Sequence, residues 1–331
     1  MKKLLLSTAL VGALFSGAAL AETKVGGNVE SIYRSGSFDR AADKVTGTAG
    51  LGIETNISIS SSKALNNGMK LSAGLEIENA VNHNAFTTIQ SGNVTVGYGL
   101  DYGYNGVSYG IPLIGEGFHD VAANLTPSIN DDLMSITGMY GQEVHDAAHF
   151  NVTVAAAGGN FGFNFAPSPS QGRAMSVSTD SGGSAYEIGY VGTPIPNVSV
   201  VVNRQVGQQA NEAIASVDDF VVDNLGLTYS MGQFAIGAGR ITADNGAASN
   251  PKTQSNQYGV TYSTDAFSIG YAIAKSDKDG QTNDEDHQLL TASYNFGGGL
   301  GIEFGYDKVE NIGYTAGKDG DAFQLRTLVK F

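Results

Sequence analysis

The feature that most constrains this chain is an alternation of period two that recurs from residue 23 to the last residue, Phe331. Met69, Leu71, Ala73, Leu75 and Ile77 alternate with Lys70, Ser72, Gly74, Glu76 and Glu78. The sets Leu51, Ile53, Thr55, Ile57, Ile59; Phe161, Phe163, Phe165; Phe267, Ile269, Tyr271, Ile273; and Leu300, Ile302, Phe304, Tyr306 repeat the pattern. Side chains two apart share a face of a strand, so each run is a strand with one apolar and one polar face. No helical stripe of period 3.6 follows residue 21. The chain therefore has to bury or cover one face of many two-sided strands.

The breaks decide how. Short ones at 62–68, 91–93, 158–160, 193–197, 230–233, 263–266 and 296–299 alternate with longer ones near 36–46, 100–147, 168–183, 207–217, 243–255, 277–285 and 311–321. One break, near 81–84, is short where a long one is due. Short turns at one end and long loops at the other describe an all-β, transmembrane, antiparallel up-and-down barrel in an outer membrane. The predicted strands number sixteen: 23–35, 47–61, 69–80, 85–91, 92–99, 148–157, 160–166, 184–192, 197–206, 218–230, 232–242, 256–264, 266–276, 286–296, 300–310 and 322–331. The stretch 131–141 would change the count if it were wall. An even count puts both chain ends on the periplasmic side.

Charge placement agrees. In the clearest strands the apolar parity carries no charge in its interior, where a Lys or Arg in lipid costs about 2–4 kcal/mol. The other parity carries Glu30, Arg34, Glu54, Lys70, Glu76, Glu78, Glu187, Glu303, Asp307 and Arg326. Tyr33, Tyr98, Tyr186, Tyr190, Tyr229, Tyr262, Tyr294 and Tyr306 recur at strand ends, as interfacial girdles do, although the chain has no Trp. The competing reading is a secreted soluble β protein, which requires the apolar face to be the buried one.

Residues 1–21, MKKLLLSTALVGALFSGAALA, have a basic start, an apolar middle and an Ala-Leu-Ala end. They read as a secretory signal peptide, leaving residues 22–331 as a single barrel domain. The absence of Cys excludes disulfides, Cys-zinc sites and iron–sulfur clusters. A formal charge of −14 argues against a nucleic-acid partner.

The signal-like start, the alternating strands and the terminal Phe331 together resemble the general bacterial porins, of the alphaproteobacterial type in particular. Residues 57–78, ISISSSKALNNGMKLSAGLEIE, are similar to that family's second hairpin, and 93–99, NVTVGYG, to the strand leading into its third loop. The resemblance implies a water-filled homotrimer with loop three folded inward. It also implies that Phe331 is the signal read by the barrel assembly machinery. The short second loop and the lack of an Arg-rich strand depart from the family's pattern.

The long break at 100–147 is where function is expected, since a loop of that length in a compact domain is usually functional. Between Lys70 and Arg173 there is no other Lys or Arg, but there are acids at 76, 78, 101, 116, 120, 131, 132, 143 and 146. Asp101, Glu116, Asp120, Asp131 and Asp132 are the expected constriction residues. In a narrow pore they would concentrate cations. Arg34, Lys70, Glu76, Glu78, Glu303 and Arg326 are the expected wall charges, with the three bases opposing the loop acids. At the extracellular ends of the upward strands, Arg204, Arg240, Lys275 and Lys308 interrupt the apolar parity. They are expected either to pair with lipopolysaccharide phosphates or simply to snorkel.

Enzyme-like motifs are decoys on this reading. Gly106-Val107-Ser108-Tyr109-Gly110 fits a nucleophile elbow but lies in a loop of a glycine-rich β chain. His145 and His149 are four apart, a zinc spacing that works on a helix and not on a strand. The acidic run 277–286 could take up Ca²⁺ adventitiously but lacks an EF-hand ligand order. No cofactor and no catalytic residue are expected. The expected function is passive, weakly cation-selective diffusion of small hydrophilic solutes. A substrate-specific channel is the alternative, and a barrel adhesin or enzyme a more distant one.

Overall fold

The structure is a computed structural model, and it describes residues 22–39, 44–78, 81–100, 148–167, 184–207, 219–244 and 252–331. Sixteen strands follow one another: β1 (Glu22–Asp39), β2 (Lys44–Ala64), β3 (Lys70–Glu78), β4 (Val81–Ser91), β5 (Val94–Leu100), β6 (His149–Ala156), β7 (Gly159–Ala166), β8 (Ala185–Ile195), β9 (Val198–Gly207), β10 (Phe220–Met231), β11 (Phe234–Asp244), β12 (Thr253–Ser263), β13 (Phe267–Lys278), β14 (Glu285–Gly297), β15 (Leu300–Glu310) and β16 (Gly320–Lys330). Each pairs antiparallel with its sequence neighbours, and β16 pairs with β1 to close the barrel. Closure removes every sheet edge, which is what allows strands to cross a membrane with their backbone groups satisfied. Among the described residues no helix is long and apolar enough to cross one.

The direction of the two faces settles the choice left open by the alternation. The apolar parity is on the outside: Leu51 is 82% exposed, Ile53 73% and Leu225 55%. The polar parity is the hidden one, with Asn151, Asn164, Gln257 and Thr291 all at 0%. A soluble β protein would be built the other way round. Outward aromatics gather toward both ends of the strands. Phe161 lies 4.8 Å from Tyr190, Phe234 4.8 Å from Tyr262, and Tyr294 4.8 Å from Phe296, all on the short-turn side. On the long-loop side Tyr98 lies 5.1 Å from Phe150. Tyr and Phe thus form the girdles without Trp.

The expected strands match the observed ones apart from their ends. The main difference is at 81–84, read above as a break. Only residues 79–80 separate β3 from β4, and Val81 and Asn82 pair with Glu78 and Ile77. A register shift between Glu76 and Ile77 lets this polar segment join the ladder without alternation of its own. The stretch 131–141 lies outside the described residues.

Two local features fix the register. At 65–69, Gly68 N donates to Leu65 O at 3.0 Å, and Gly68 has φ +81, a conformation open to glycine at little cost. At the seam, Gly27 N donates to Phe331 O at 3.1 Å and Phe331 N to Gly27 O at 3.0 Å. A Cβ on Gly27 would come within 2.9 Å of Phe331 Cζ, so the terminal ring needs glycine beneath it.

Candidate functional site

The inward face is where charge collects. The inward parity of the described strands presents Glu30, Glu54, Glu76, Glu78, Glu187, Glu285, Glu303 and Asp307. Of its bases, Lys24, Lys70, Lys278 and Lys330 lie within two residues of a strand end, and Arg34 takes a register position inside β1. Among the described side chains Arg326 is the inward base held deeper in the wall.

Arg326 sits at the closure. Its Nη1 donates to Glu30 Oε2 at 3.0 Å and its Nε to Glu303 Oε2 at 2.9 Å, while Nη2 also engages Glu303. Glu303 stands directly opposite Arg326 on β15, and Glu30 is reached diagonally on β1. Asn28 Nδ2 donates to the other oxygen of Glu30 at 2.8 Å. Glu54 is paired directly opposite Glu30, and Asn56 donates to Glu76 on β3. One lateral band of acids and amides thus runs across β15, β16, β1, β2 and β3.

A second cluster lies near the extracellular end of β14 and β15. His287 Nδ1 is 3.1 Å from Asp307 Oδ2, and Nε2 is 3.1 Å from Glu285 Oε1. The 3-10 turn Ile312–Tyr314 in the last extracellular loop folds over this cluster. Gly313 N donates to Glu285 Oε2 at 2.6 Å, and Tyr314 Oη is 3.0 Å from Ser276 Oγ. Burial pushes the Tyr314 phenol up, so it stays neutral across the physiological range. A third network joins Asn151 to Asn164 at 2.7 Å and Asn164 to Glu187 at 2.8 Å, on β6, β7 and β8.

Of the residues singled out from sequence, Asp101, Glu116, Asp120, Asp131 and Asp132 lie outside the described residues, as do the Gly106–Gly110 motif and His145. Arg34 occupies a register position in β1 opposite Gln324 and Gly50. Lys70 is exposed at the periplasmic start of β3, and Glu76 and Glu78 are half-buried farther along it. Glu303 and Arg326 are brought together. His149 opens β6, fully buried on the inward face.

The four rim bases all face outward among polar neighbours. Arg204 lies 3.6 Å from Asp223, and Arg240 Nε donates to Asn256 at 2.8 Å. Lys275 lies 2.9 Å from Asp284, and Lys308 lies 2.6 Å from Glu310. Arg240, Asn256, Lys275, Asp286 and Glu310 stand in one directly opposed row across five strands. The acidic run 277–286 is divided among the end of β13, a turn and the start of β14, with Glu285 inward and Asp286 outward. Among the described residues no grouping of His, Cys, Asp and Glu could hold a metal ion.

The sequence reading overlooked the His287 cluster. Its signal was Glu285-x-His287, since side chains two apart on a strand share a face. Asp307 could be added only with the register of β14 against β15 in hand.

The family model described as Gram-negative porin matches residues 7–327. A porin structure refined at 1.8 Å resolution is 15% identical with a TM-score of 0.66, covering 94% of this chain and 100% of that one. OmpF of Salmonella typhi, solved in complex with daunomycin, is 12% identical with a TM-score of 0.68, covering 94% and 98%. OmpT, an outer membrane protein of Vibrio cholerae, is 11% identical with a TM-score of 0.66, covering 96% and 99%. At these identities the likeness to solved structures is one of fold. A comparison with curated protein sequences gives no match.

Proposed function

Because the chain belongs to the Gram-negative porin family, which places it in the outer membrane as a channel, we propose that it is a passive, weakly cation-selective diffusion pore for small hydrophilic solutes. The observation that carries the selectivity is the inward wall. Acids line it through its depth, while Lys24, Lys70, Lys278 and Lys330 lie at strand ends and two carboxylates hold Arg326, which leaves Arg34 in β1 as the base set against them. An acidic wall in a confined space raises the local concentration of cations and lowers that of anions. Asp101, Glu116, Asp120, Asp131 and Asp132 would strengthen the effect if loop three folds into the lumen. Solutes move down their own gradients, and no step requires a catalytic group. The working unit is proposed to be a homotrimer whose assembly begins with recognition of Phe331.

The test is the reversal potential of the refolded protein in a planar bilayer under a salt gradient. A cation-selective potential is expected, and neutralising Asp101, Glu116 and Asp120 together should move it toward zero. An anion-selective potential, or a folded barrel that passes no ions, would overturn the proposal.

The extracellular rim is proposed to meet the phosphates of lipopolysaccharide through Arg204, Arg240, Lys275 and Lys308, which are exposed beside acidic neighbours or, for Arg240, beside Asn256. Reversing all four charges should reduce the lipopolysaccharide that co-purifies with the barrel by more than half, about as expected for losing several charge-assisted contacts. Unchanged retention would leave snorkelling as the whole role of these residues.

A further inference from the structure

We infer that Arg326 determines the pore's charge selectivity by masking the Glu30–Glu303 pair. The inference rests on the cation-selective reading above and deepens it. Arg326 is 6% exposed and Glu30 8%, and both lie on the inward parity of neighbouring strands. The guanidinium spends Nη1 on Glu30 and Nε with Nη2 on Glu303, so one cation spans two carboxylates from β1 and β15. In their ordinary charge states the three groups sum to a single negative charge. Glu54, directly opposite Glu30, and Glu76, next along the same band, extend the acidic wall from there.

This differs from a base that acts on solutes directly. A guanidinium free in the lumen would repel cations and attract anions. Enclosed by two acids, Arg326 instead lowers the negative charge that its own neighbours present to the lumen. Salt screens charges beyond about 8 Å at physiological ionic strength, so a wall charge acts on the ions that pass closest to it. A planar fork with five donors is suited to holding two carboxylates at once, which an ammonium does less well.

The inference is tested by comparing reversal potentials under a fixed salt gradient for the wild type, Arg326→Gln, Arg326→Lys and Glu303→Gln. Folding is verified first by heat-modifiable migration on a gel. Arg326→Gln uncovers two acids and should raise the cation-to-anion permeability ratio about two- to fivefold. Arg326→Lys keeps the charge and should leave the ratio near that of the wild type. Glu303→Gln removes an acid, leaves Arg326 its bond to Glu30 and should lower the ratio. A merely structural arginine would not move Arg326→Gln and Glu303→Gln in opposite directions. If Arg326→Gln does not fold, an unchanged ratio for Arg326→Lys beside a lowered one for Glu303→Gln supports the inference, and an unchanged ratio for Glu303→Gln overturns it. Variants that fold, conduct and keep the wild-type ratio overturn this inference while leaving the cation-selective pore in place. An anion-selective or silent wild type overturns both.

Discussion

Replacing Leu227 by arginine should destabilise the barrel by about 2–4 kcal/mol, while an arginine at Ser58 should change stability by no more than about 0.5 kcal/mol. Leu227 is an outward residue of β10, 51% exposed, midway between Asp223 at the extracellular rim and Met231 at the periplasmic turn. It therefore faces the middle of the hydrocarbon, where a guanidinium loses its hydration and is too far from either interface to snorkel fully. Ser58 is an exposed residue on the inward parity of β2, opposite Gly26 and Glu76, where an added base meets water and an acid. Urea titration of the protein folded into vesicles measures both substitutions. Equal, small effects would mean that the outward face is not in lipid.

That contrast of faces is also the part of the molecule most legible in its sequence. A period of two needs only local sterics, so residues such as Phe161, Phe163 and Phe165 declare their common face without reference to anything distant. The strand count followed, because the turn and loop lengths alternate along the chain. Legibility failed where local pattern carried no information. Val81 and Asn82 join β4 because β3 offers them partners across a register shift, not because they alternate. The rim bases were readable as a set, but the acids beside them were not. That Lys275 would find Asp284 while Asp286 stands directly opposite depends on the register of β13 against β14. The candidate site was readable only in its ingredients. Glu30, Glu303 and Arg326 were each on the polar parity, yet Glu30 and Arg326 are separated by 296 residues and meet only because the last strand returns to the first. No window along the chain contains a closure, so Arg326 read as a base facing the lumen acids and not as one held between two of its own.

Arg326→Met alone should cost about 3–5 kcal/mol, whereas the triple change Arg326→Met, Glu30→Leu, Glu303→Leu should fall within about 1 kcal/mol of the wild type. The single change leaves two carboxylates, at 8% exposure for Glu30 and half-buried for Glu303, without the cation that offset their desolvation. The triple change removes the charges that needed offsetting and fills similar volume with apolar atoms. Closure itself does not depend on them. The β1–β16 ladder runs from Asn28 opposite Lys330 to Ser37 opposite Asp321, and the reciprocal backbone bonds between Gly27 and Phe331 extend it to the last residue. The same urea titration that measures Leu227→Arg measures these variants. A triple variant as unstable as the single one would mean that the ion cluster itself holds the seam shut, and that the backbone ladder cannot close the barrel without it. A stable triple variant would instead leave selectivity as the property for which this ion cluster is kept at the seam, so its permeability ratio should fall toward that expected for a wall two carboxylates poorer and one guanidinium poorer.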